Sequence, residues 1–221
     1  MPRGTIRREA GAAAEPRVRR GYFECRYGQL HVHNVMPAGG GFEEGTALLC
    51  VHDPAANARQ FARFLPLVGR DRSVYAPDLP GCGESDPPPM QPVQPADYAA
   101  ALGDFLDSLR IRQVDVLGYR GGTLPAVELA AARPAQVRRL VLASLPLGAG
   151  AAPAYPLRER VHNLTQRPLV LRVHDDLWEA TARARELLPA ARLAELREGA
   201  ADPFNLAPAE AATAVLEFVR A

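Results

Sequence analysis

Two hydrophobic periodicities alternate along the chain. Short apolar segments such as residues 47–51 (ALLCV) contain no polar side chain, which is typical of strands covered on both faces of a parallel sheet. Longer segments such as residues 58–68 repeat apolar side chains every three or four positions, which is typical of helices that bury one face. The alternation of such strands and helices predicts βαβ units and a doubly wound, mostly parallel sheet.

The same patterns predict the order of the elements. Residues 22–27 and 30–35 are predicted to form an N-terminal antiparallel hairpin. Further strands are predicted at residues 47–51, 73–76, 114–117, 140–143, 169–173 and 193–196. Helices are predicted at residues 58–68, 95–109, 122–132, 178–188 and 209–219. We therefore expect an α/β fold with a sheet of about eight strands and helices on both faces.

Charge divides the chain into a basic tail and a single domain, which we place at residues 1–20 and 21–221. The tail contains six Arg and two Glu and lacks the apolar centre of a signal peptide. We expect it to be disordered and solvated; the alternative is a basic arm that contacts acidic partners. A net charge of only +1, and no apolar run near the ~20 residues of a membrane span, argue against nucleic-acid and membrane partners.

The residue types that the chain lacks exclude several chemistries. All 26 basic residues are Arg, which excludes Schiff-base chemistry, a lysine-dependent P-loop and pyridoxal phosphate enzymology. Cys25, Cys50 and Cys82 are scattered and form no CxxC motif, which argues against disulfides and a zinc site. We expect a reducing, cytoplasmic location and neither a cofactor nor a metal ion.

Several segments resemble the α/β-hydrolase superfamily over residues 22–220. They are His52 directly after a strand, the turn PDLPGCGESD at 77–86, the strand–GxxxG–helix at 118–122 and the segment ARPAQVRRLVLAS at 132–144. The strand, helix, strand and helix that close the chain also match. No one segment is diagnostic, but their order and spacing together are highly specific.

The resemblance implies a strained strand-to-helix turn, the nucleophile elbow. Gly118 and Gly122 flank this turn and Gly121 follows its centre, but the centre itself is Arg120. A guanidinium stays protonated at accessible pH and has no available lone pair, so it cannot attack a carbonyl. The sequence therefore predicts a family member with a degenerate catalytic triad, and it leaves open whether the chain is an enzyme.

Of the other two triad positions, the acid position matches the family and the base position does not. The acid position matches Asp176, with Asp175 beside it; for these two residues a solvated strand-end pair or a helix N-cap before Leu177 is an equal alternative. The base position falls at Ala200 or Ala201, and no His follows His174. Two of the three triad members are therefore missing, and they are the two that transfer protons.

The resemblance also assigns an oxyanion-hole-like region to His52, Asp53 and Gly121, with a structural role favoured for His52. Two interpretations of Arg120 follow. It binds a small anionic ligand together with Tyr119, His52 and Asp53, because the helix N-terminus favours an anion. Alternatively, Arg120 pairs with Asp53 or Asp176 and fills a former active site, which we weigh slightly higher.

Three functional hypotheses remain. The first is a catalytically degenerate, non-hydrolytic homologue that binds a small anionic ligand or regulates a partner. The second is an enzyme of esterase, lyase or isomerase type that uses His52, Arg120 and Asp176. The third is a homodimeric interaction module, so that the chain is a monomer or a homodimer. Residues 144–168 are too few for a full lid, which predicts a lidless or minimally capped site.

Overall fold

The computed structural model describes residues 16–37, 45–147, 155–199 and 201–221. Most of the predicted tail therefore lies outside the described residues. The first strand begins at Arg19, so the last two residues that we assigned to the tail belong to the sheet. Among the described residues, no helix is long and apolar enough to cross a bilayer.

Eight strands form one sheet within this part of the chain, in the order β1-β2-β4-β3-β5-β6-β7-β8. They are β1 (Arg19–Cys25), β2 (Gly28–Val35), β3 (Gly45–Val51), β4 (Arg72–Pro77), β5 (Val114–Tyr119), β6 (Val137–Ala143), β7 (Leu169–Val173) and β8 (Arg192–Leu196). Strands β3 to β8 run parallel, whereas β2 is antiparallel to both β1 and β4. The predicted fold class is confirmed, including the N-terminal antiparallel pair.

Helices and two 3₁₀ turns connect these strands. The described helices are α1 (Leu65–Val68), α2 (Pro95–Ser108), α3 (Thr123–Ala132), α4 (Leu157–His162), α5 (Trp178–Ala182), α6 (Ala184–Leu187), α7 (Pro203–Leu206) and α8 (Pro208–Arg220), and the 3₁₀ turns are Ala58–Phe61 and Arg120–Gly122. Helices α2 and α3 pack on one face of the sheet, and α1, α7 and α8 pack on the other. The carboxyl ends of six parallel strands consequently share one edge, where ligands bind in folds of this kind.

Two predicted helices are interrupted. The segment 58–68 divides into a 3₁₀ turn and α1, because Pro66 lacks the N–H that a continuous helix would need and lies instead in the first turn of α1. The segment 178–188 divides at Arg183, whose N–H donates to the carbonyl of Ala180, three residues back, and tightens the turn.

The connection between β6 and β7 contains one short described helix, α4. Arg160 of α4 forms an ion pair with the buried Glu128 of α3, with 3.0 Å between Nε and Oε1. This contact fastens the short helix to the helix that follows the elbow. Residues 148–154 of the same connection lie outside the described residues.

An aromatic cluster supports the end of the chain beneath β5. The ring of Phe204 in α7 lies 5.0 Å from Phe61, 5.1 Å from Phe64 and 5.1 Å from Tyr119, measured between ring centroids. Phe204 is fully buried, and offset or edge contacts of this kind add to the energy of burial. The cluster thereby holds the segment before α8 against the elbow strand.

We expect Phe204→Ala to lower the free energy of unfolding by about 3–5 kcal/mol, because it leaves a cavity between three rings. Leu206, two residues along in the same short helix, is exposed, and Leu206→Ala should change stability by less than about 0.5 kcal/mol. Urea unfolding followed by circular dichroism measures both values. Equal losses in the two variants would contradict the assigned packing.

Candidate functional site

The turn between β5 and α3 has the conformation of a nucleophile elbow, with Arg120 at its centre. The φ angle of Arg120 is 51°, in the left-handed region that residues other than glycine rarely adopt. Strain of this kind costs roughly 1–3 kcal/mol and persists only where the surrounding structure imposes it. The elbow geometry is therefore retained although its central side chain is not a nucleophile.

Close packing around the turn explains the three glycines. A Cβ atom at Gly118 would lie 2.7 Å from the carbonyl oxygen of Gly122. One at Gly122 would overlap the backbone carbonyl of His52, and one at Gly121 would lie 2.8 Å from Oδ1 of Asp53. Real Cβ atoms do not come so near to backbone atoms, so the turn needs glycine at Gly118 and Gly122. At Gly121 the close neighbours are the side chains of Asp53 and Pro54.

Three carboxylates surround the guanidinium of Arg120. Nη1 donates to Oδ2 of Asp175 at 2.8 Å and to Oδ1 of Asp176 at 2.7 Å. Nη2 donates to Oδ2 of Asp176 at 3.1 Å, and Nε lies 3.4 Å from Oδ2 of Asp53. Each nitrogen of the guanidinium thus faces a carboxylate oxygen of the chain, and we call these four residues the Arg120 cluster.

The three carboxylates differ in burial. The Asp175 side chain is fully buried, that of Arg120 is 23% exposed and that of Asp176 is 70% exposed. The hydrogen bond between Arg120 and Asp176 raises the pKa of the guanidinium and lowers the pKa of the carboxyl. The second oxygen of Asp175 accepts the N–H of Leu177 at 2.9 Å, so this buried carboxylate is bonded at both oxygens.

Both ring nitrogens of His52 form hydrogen bonds with backbone groups. Its Nε2 accepts the N–H of Leu79 at 2.8 Å, and its Nδ1 lies 2.7 Å from the carbonyl oxygen of Asp53. Because Nε2 is an acceptor, the ring proton is on Nδ1 and is donated to that carbonyl. The ring is fully buried, and burial lowers the pKa of His52. These bonds shape the loop after β3 and leave neither nitrogen for proton transfer to a ligand.

Asp53, in the region that the resemblance assigns to an oxyanion hole, contacts other groups of the chain through both its amide and its side chain. The N–H of Asp53 donates to Oε1 of Gln60 at 3.0 Å. The carboxylate of Asp53 lies against Gly121 and beside Arg120. The amide and the side chain of Asp53 are thus both engaged by other groups of the chain in the region that the resemblance assigns to an oxyanion hole.

Tyr119 belongs to the core rather than to a ligand surface. It is fully buried, and its hydroxyl donates to the carbonyl oxygen of Ala201 at 2.7 Å. Burial raises the pKa of this hydroxyl. The bond brings the segment assigned to the missing base next to the elbow strand, as the resemblance implies; Ala200 lies outside the described residues.

Other candidate nucleophiles have no histidine partner in the described structure. The side chains of Ser85, Thr123 and Cys82 donate to backbone carbonyls, at 2.7 Å, 2.6 Å and 3.4 Å respectively. Ser144, at the end of β6, is fully buried with a φ of 51°, and its hydroxyl has no hydrogen-bond partner. These side chains therefore lack the adjacent base that activates a hydroxyl or thiol.

Comparison with known proteins agrees with this architecture. The family model for the alpha/beta hydrolase fold matches residues 46–203, and the chain belongs to that family. A 2-hydroxy-6-oxononadienedioate/2-hydroxy-6-oxononatrienedioate hydrolase of Pseudomonas putida is 33% identical over 151 residues, which are 67% of this chain and 50% of that protein. The chain spans about half the length of the first curated relatives that it matches.

Solved structures show the same fold at lower identity. A protein of Thermoplasma acidophilum described as a predicted CIB-like hydrolase superimposes with a TM-score of 0.78 at 13% identity, covering 93% of this chain and 99% of that one. The enol-lactonase of Burkholderia xenovorans superimposes with a TM-score of 0.77 at 16% identity, covering 91% and 100%.

The structure brings together most of the residues that the sequence singled out, and it adds one. Arg120, Asp53 and Asp176 meet as the sequence suggested, whereas Asp175 appeared there only as a neighbour of Asp176. Asp175 is the buried partner, and its position two residues after the end of β7 was the signal that could have identified it. No group of three metal-ligating side chains that could hold an ion occurs among the described residues.

We expect Arg120→Met to lower the free energy of unfolding by about 3 kcal/mol, because it leaves the buried carboxylate of Asp175 without its cation. Asp176→Asn removes an exposed partner and should cost less than about 1 kcal/mol. Denaturant unfolding of both single variants and of the double variant measures the difference. Equal costs for the two single variants would show that burial of Asp175 does not set the energy of the cluster.

The buried, neutral ring of His52 predicts a loss of stability in mild acid. Its pKa lies below the ordinary value of 6.5, so the unfolded chain takes up a proton before the folded chain does. The free energy of unfolding should therefore decrease as the pH falls below 6.5, with a slope proportional to this difference in bound protons. His52→Gln should reduce the slope between about pH 5 and the ordinary pKa of histidine; an unchanged slope would assign the effect to other groups.

Proposed function

We propose that this chain is a non-hydrolytic member of the α/β-hydrolase family, which acts by non-covalent binding or regulation. The observation that carries the proposal is the Arg120 cluster. The side chain at the elbow cannot act as a nucleophile, and carboxylates of the chain hold it in place. The space in which a hydrolase would bind the reacting carbonyl is thereby filled by groups of the protein itself.

The electrostatics of the cluster favour a filled site over an anion-binding site. One guanidinium faces three carboxylates, so the formal charge of the cluster is negative when all four groups are ionised. An anionic ligand would have to displace one of these carboxylates and would meet repulsion from the others. Of the two interpretations of Arg120, the internal ion pairs are therefore the better supported.

The geometry gives little support to the alternative of an enzyme with non-standard chemistry. Such a reaction would need His52 as an acid or base, and both of its ring nitrogens are bonded to backbone groups. It would also need Asp176 to be free, although both of its carboxylate oxygens accept bonds from Arg120. The relatives named as hydrolases share the scaffold, and we propose that this chain lacks their covalent step.

Reaction with a fluorophosphonate probe tests the proposal. We expect no adduct by intact-mass spectrometry and no turnover of short aryl esters above a denatured control, because the elbow lacks a nucleophile. The matched variants are Arg120→Ser and the double variant Arg120→Ser, Ala201→His. General-base catalysis contributes roughly 10²–10⁴-fold, so the double variant should exceed the single one in ester turnover by at least about tenfold.

The wild-type result decides the proposal. A stoichiometric adduct on any side chain of the unmodified protein, or saturable ester turnover that the denatured control lacks, would overturn it. The double variant tests separately whether the base position lies at Ala201, since activity in that variant requires a histidine within reach of the elbow.

A further inference from the structure

A polar cavity opens at the carboxyl edge of the sheet, away from the Arg120 cluster. Its volume is about 190 Å³, and its lining includes His31, His33, Asn57, Arg59, Asp78 and Glu84. The two histidines lie on β2, which is separated from the elbow strand by β4 and β3 in the sheet. None of the four residues of the Arg120 cluster lines this cavity.

A saturated carboxylate orients the first histidine at the base of the cavity. Asp78 accepts the N–H of Ala58 at 2.7 Å, the N–H of Glu84 at 3.0 Å and a bond from Nδ1 of His31 at 2.9 Å. Burial alone would raise the pKa of Asp78, but these bonds hold it below its ordinary value. The ionised carboxylate only accepts, so the proton of that bond is on Nδ1 of His31.

The other nitrogen of His31 faces a second carboxylate across a gap. Nε2 of His31 lies 4.0 Å from Oε2 of Glu84, which is too long for a hydrogen bond. In the neutral form of the ring, whose single proton is then on Nδ1, Nε2 presents a lone pair to an oxygen that also carries lone pairs. Two acceptors facing each other at this distance are suited to a hydrogen-bond donor placed between them.

The second histidine has an unused nitrogen. His33 is 5% exposed, its ring lies 5.1 Å from that of His31, and its Nδ1 is buried with no hydrogen-bond partner. Burial lowers the pKa of His33 and favours the neutral ring, which keeps one acceptor nitrogen. Buried polar atoms of folded proteins nearly always have a partner, and this unpaired nitrogen belongs to a residue that lines the cavity.

The guanidinium of Arg59 lies at the entrance of the cavity and is only weakly held. Arg59 is exposed, and its Nη2 lies 3.9 Å from Oε1 of Glu84. The half-exposed Glu84 also accepts the hydroxyl of Tyr22 at 3.1 Å. Because Arg59 contacts Glu84 only at the limit of an ion pair, a cationic ligand could replace it at little cost.

We propose that this cavity binds a small molecule that carries a protonated primary amino group. The ammonium has three N–H donors and a positive charge. It would donate to Nε2 of the neutral His31 ring and to Oε2 of Glu84, beside His33 on the same wall. An anion is disfavoured, since the carboxylates of Glu84 and Asp78 face the space that it would enter.

Titration with ethylammonium, monitored by the histidine ring signals in NMR spectra, tests the proposal. We expect saturable shifts of the His31 and His33 signals with a millimolar or weaker Kd, because about 1 mM is close to the upper limit of affinity for a ligand of three non-hydrogen atoms. Ethanol and acetate serve as size-matched neutral and anionic probes and should not saturate. The readout does not involve ester hydrolysis, so its outcome is independent of the proposed function.

Three substitutions make the test specific. Glu84→Gln keeps the side chain's size and should weaken binding at least about tenfold, because it removes the anionic partner. Arg59→Gln should tighten binding severalfold, because it removes a competing cation. Glu186→Gln, on the exposed surface of α6, is the matched control and should leave Kd unchanged. A linear response, equal binding of acetate or ethanol, or unchanged binding by Glu84→Gln would each overturn the proposal.

Discussion

The contact between Arg120 and the buried carboxylate of Asp175 constrains the carboxyl edge of the sheet more than any other interaction in the site. A guanidinium cannot lose its proton at the pH of any cell, and an unpaired buried charge is strongly destabilising. A cation at the end of β5 is therefore stabilised by carboxylates that follow other strands of the sheet. Asp53 after β3 and Asp175 after β7 provide them, so that one side chain links three loops.

The elbow remains strained for a reason that does not involve catalysis. Gly121 and Gly122 lie so close to the loop after β3 that a Cβ atom would not fit at either position. Beside this close packing, Arg120 has the left-handed backbone conformation although its side chain is not a nucleophile. Elbow geometry alone is therefore weak evidence of activity, whereas the identity and partners of the central side chain are informative.

Most of the fold could be predicted from the sequence because its elements have strong local signals. The polar-free segment of β3 and the glycine pattern around Arg120 identify a parallel sheet and a strand-to-helix turn without any tertiary information. The break at Pro66 is also a local signal, and we expected a continuous helix there because the apolar periodicity extends across it. In the structure a new helix, α1, begins at Leu65, so that Pro66 lies in its first turn, where a proline is tolerated.

The partners within the site could not be predicted in the same way. Asp53, Asp175 and Asp176 all lie within reach of Arg120, and sequence does not show which of them is buried. The cavity at His31 depends on residues that are still farther apart in the sequence. Glu84 reaches β2 only because β2 pairs antiparallel with β4, with Val32 opposite Pro77, and the hairpin pattern does not specify that neighbour.

The two sites at this edge differ in how completely their polar groups are satisfied. In the Arg120 cluster each guanidinium nitrogen faces a carboxylate, so a ligand can enter only by displacing a bonded partner. Around His31 and His33, acceptor atoms lack donors, and the nearby cation, Arg59, is exposed and weakly held. Binding gains most where it completes unsatisfied polar groups and displaces little. By that criterion a ligand of this chain is better accommodated beside β2 than at the position where the family places its nucleophile.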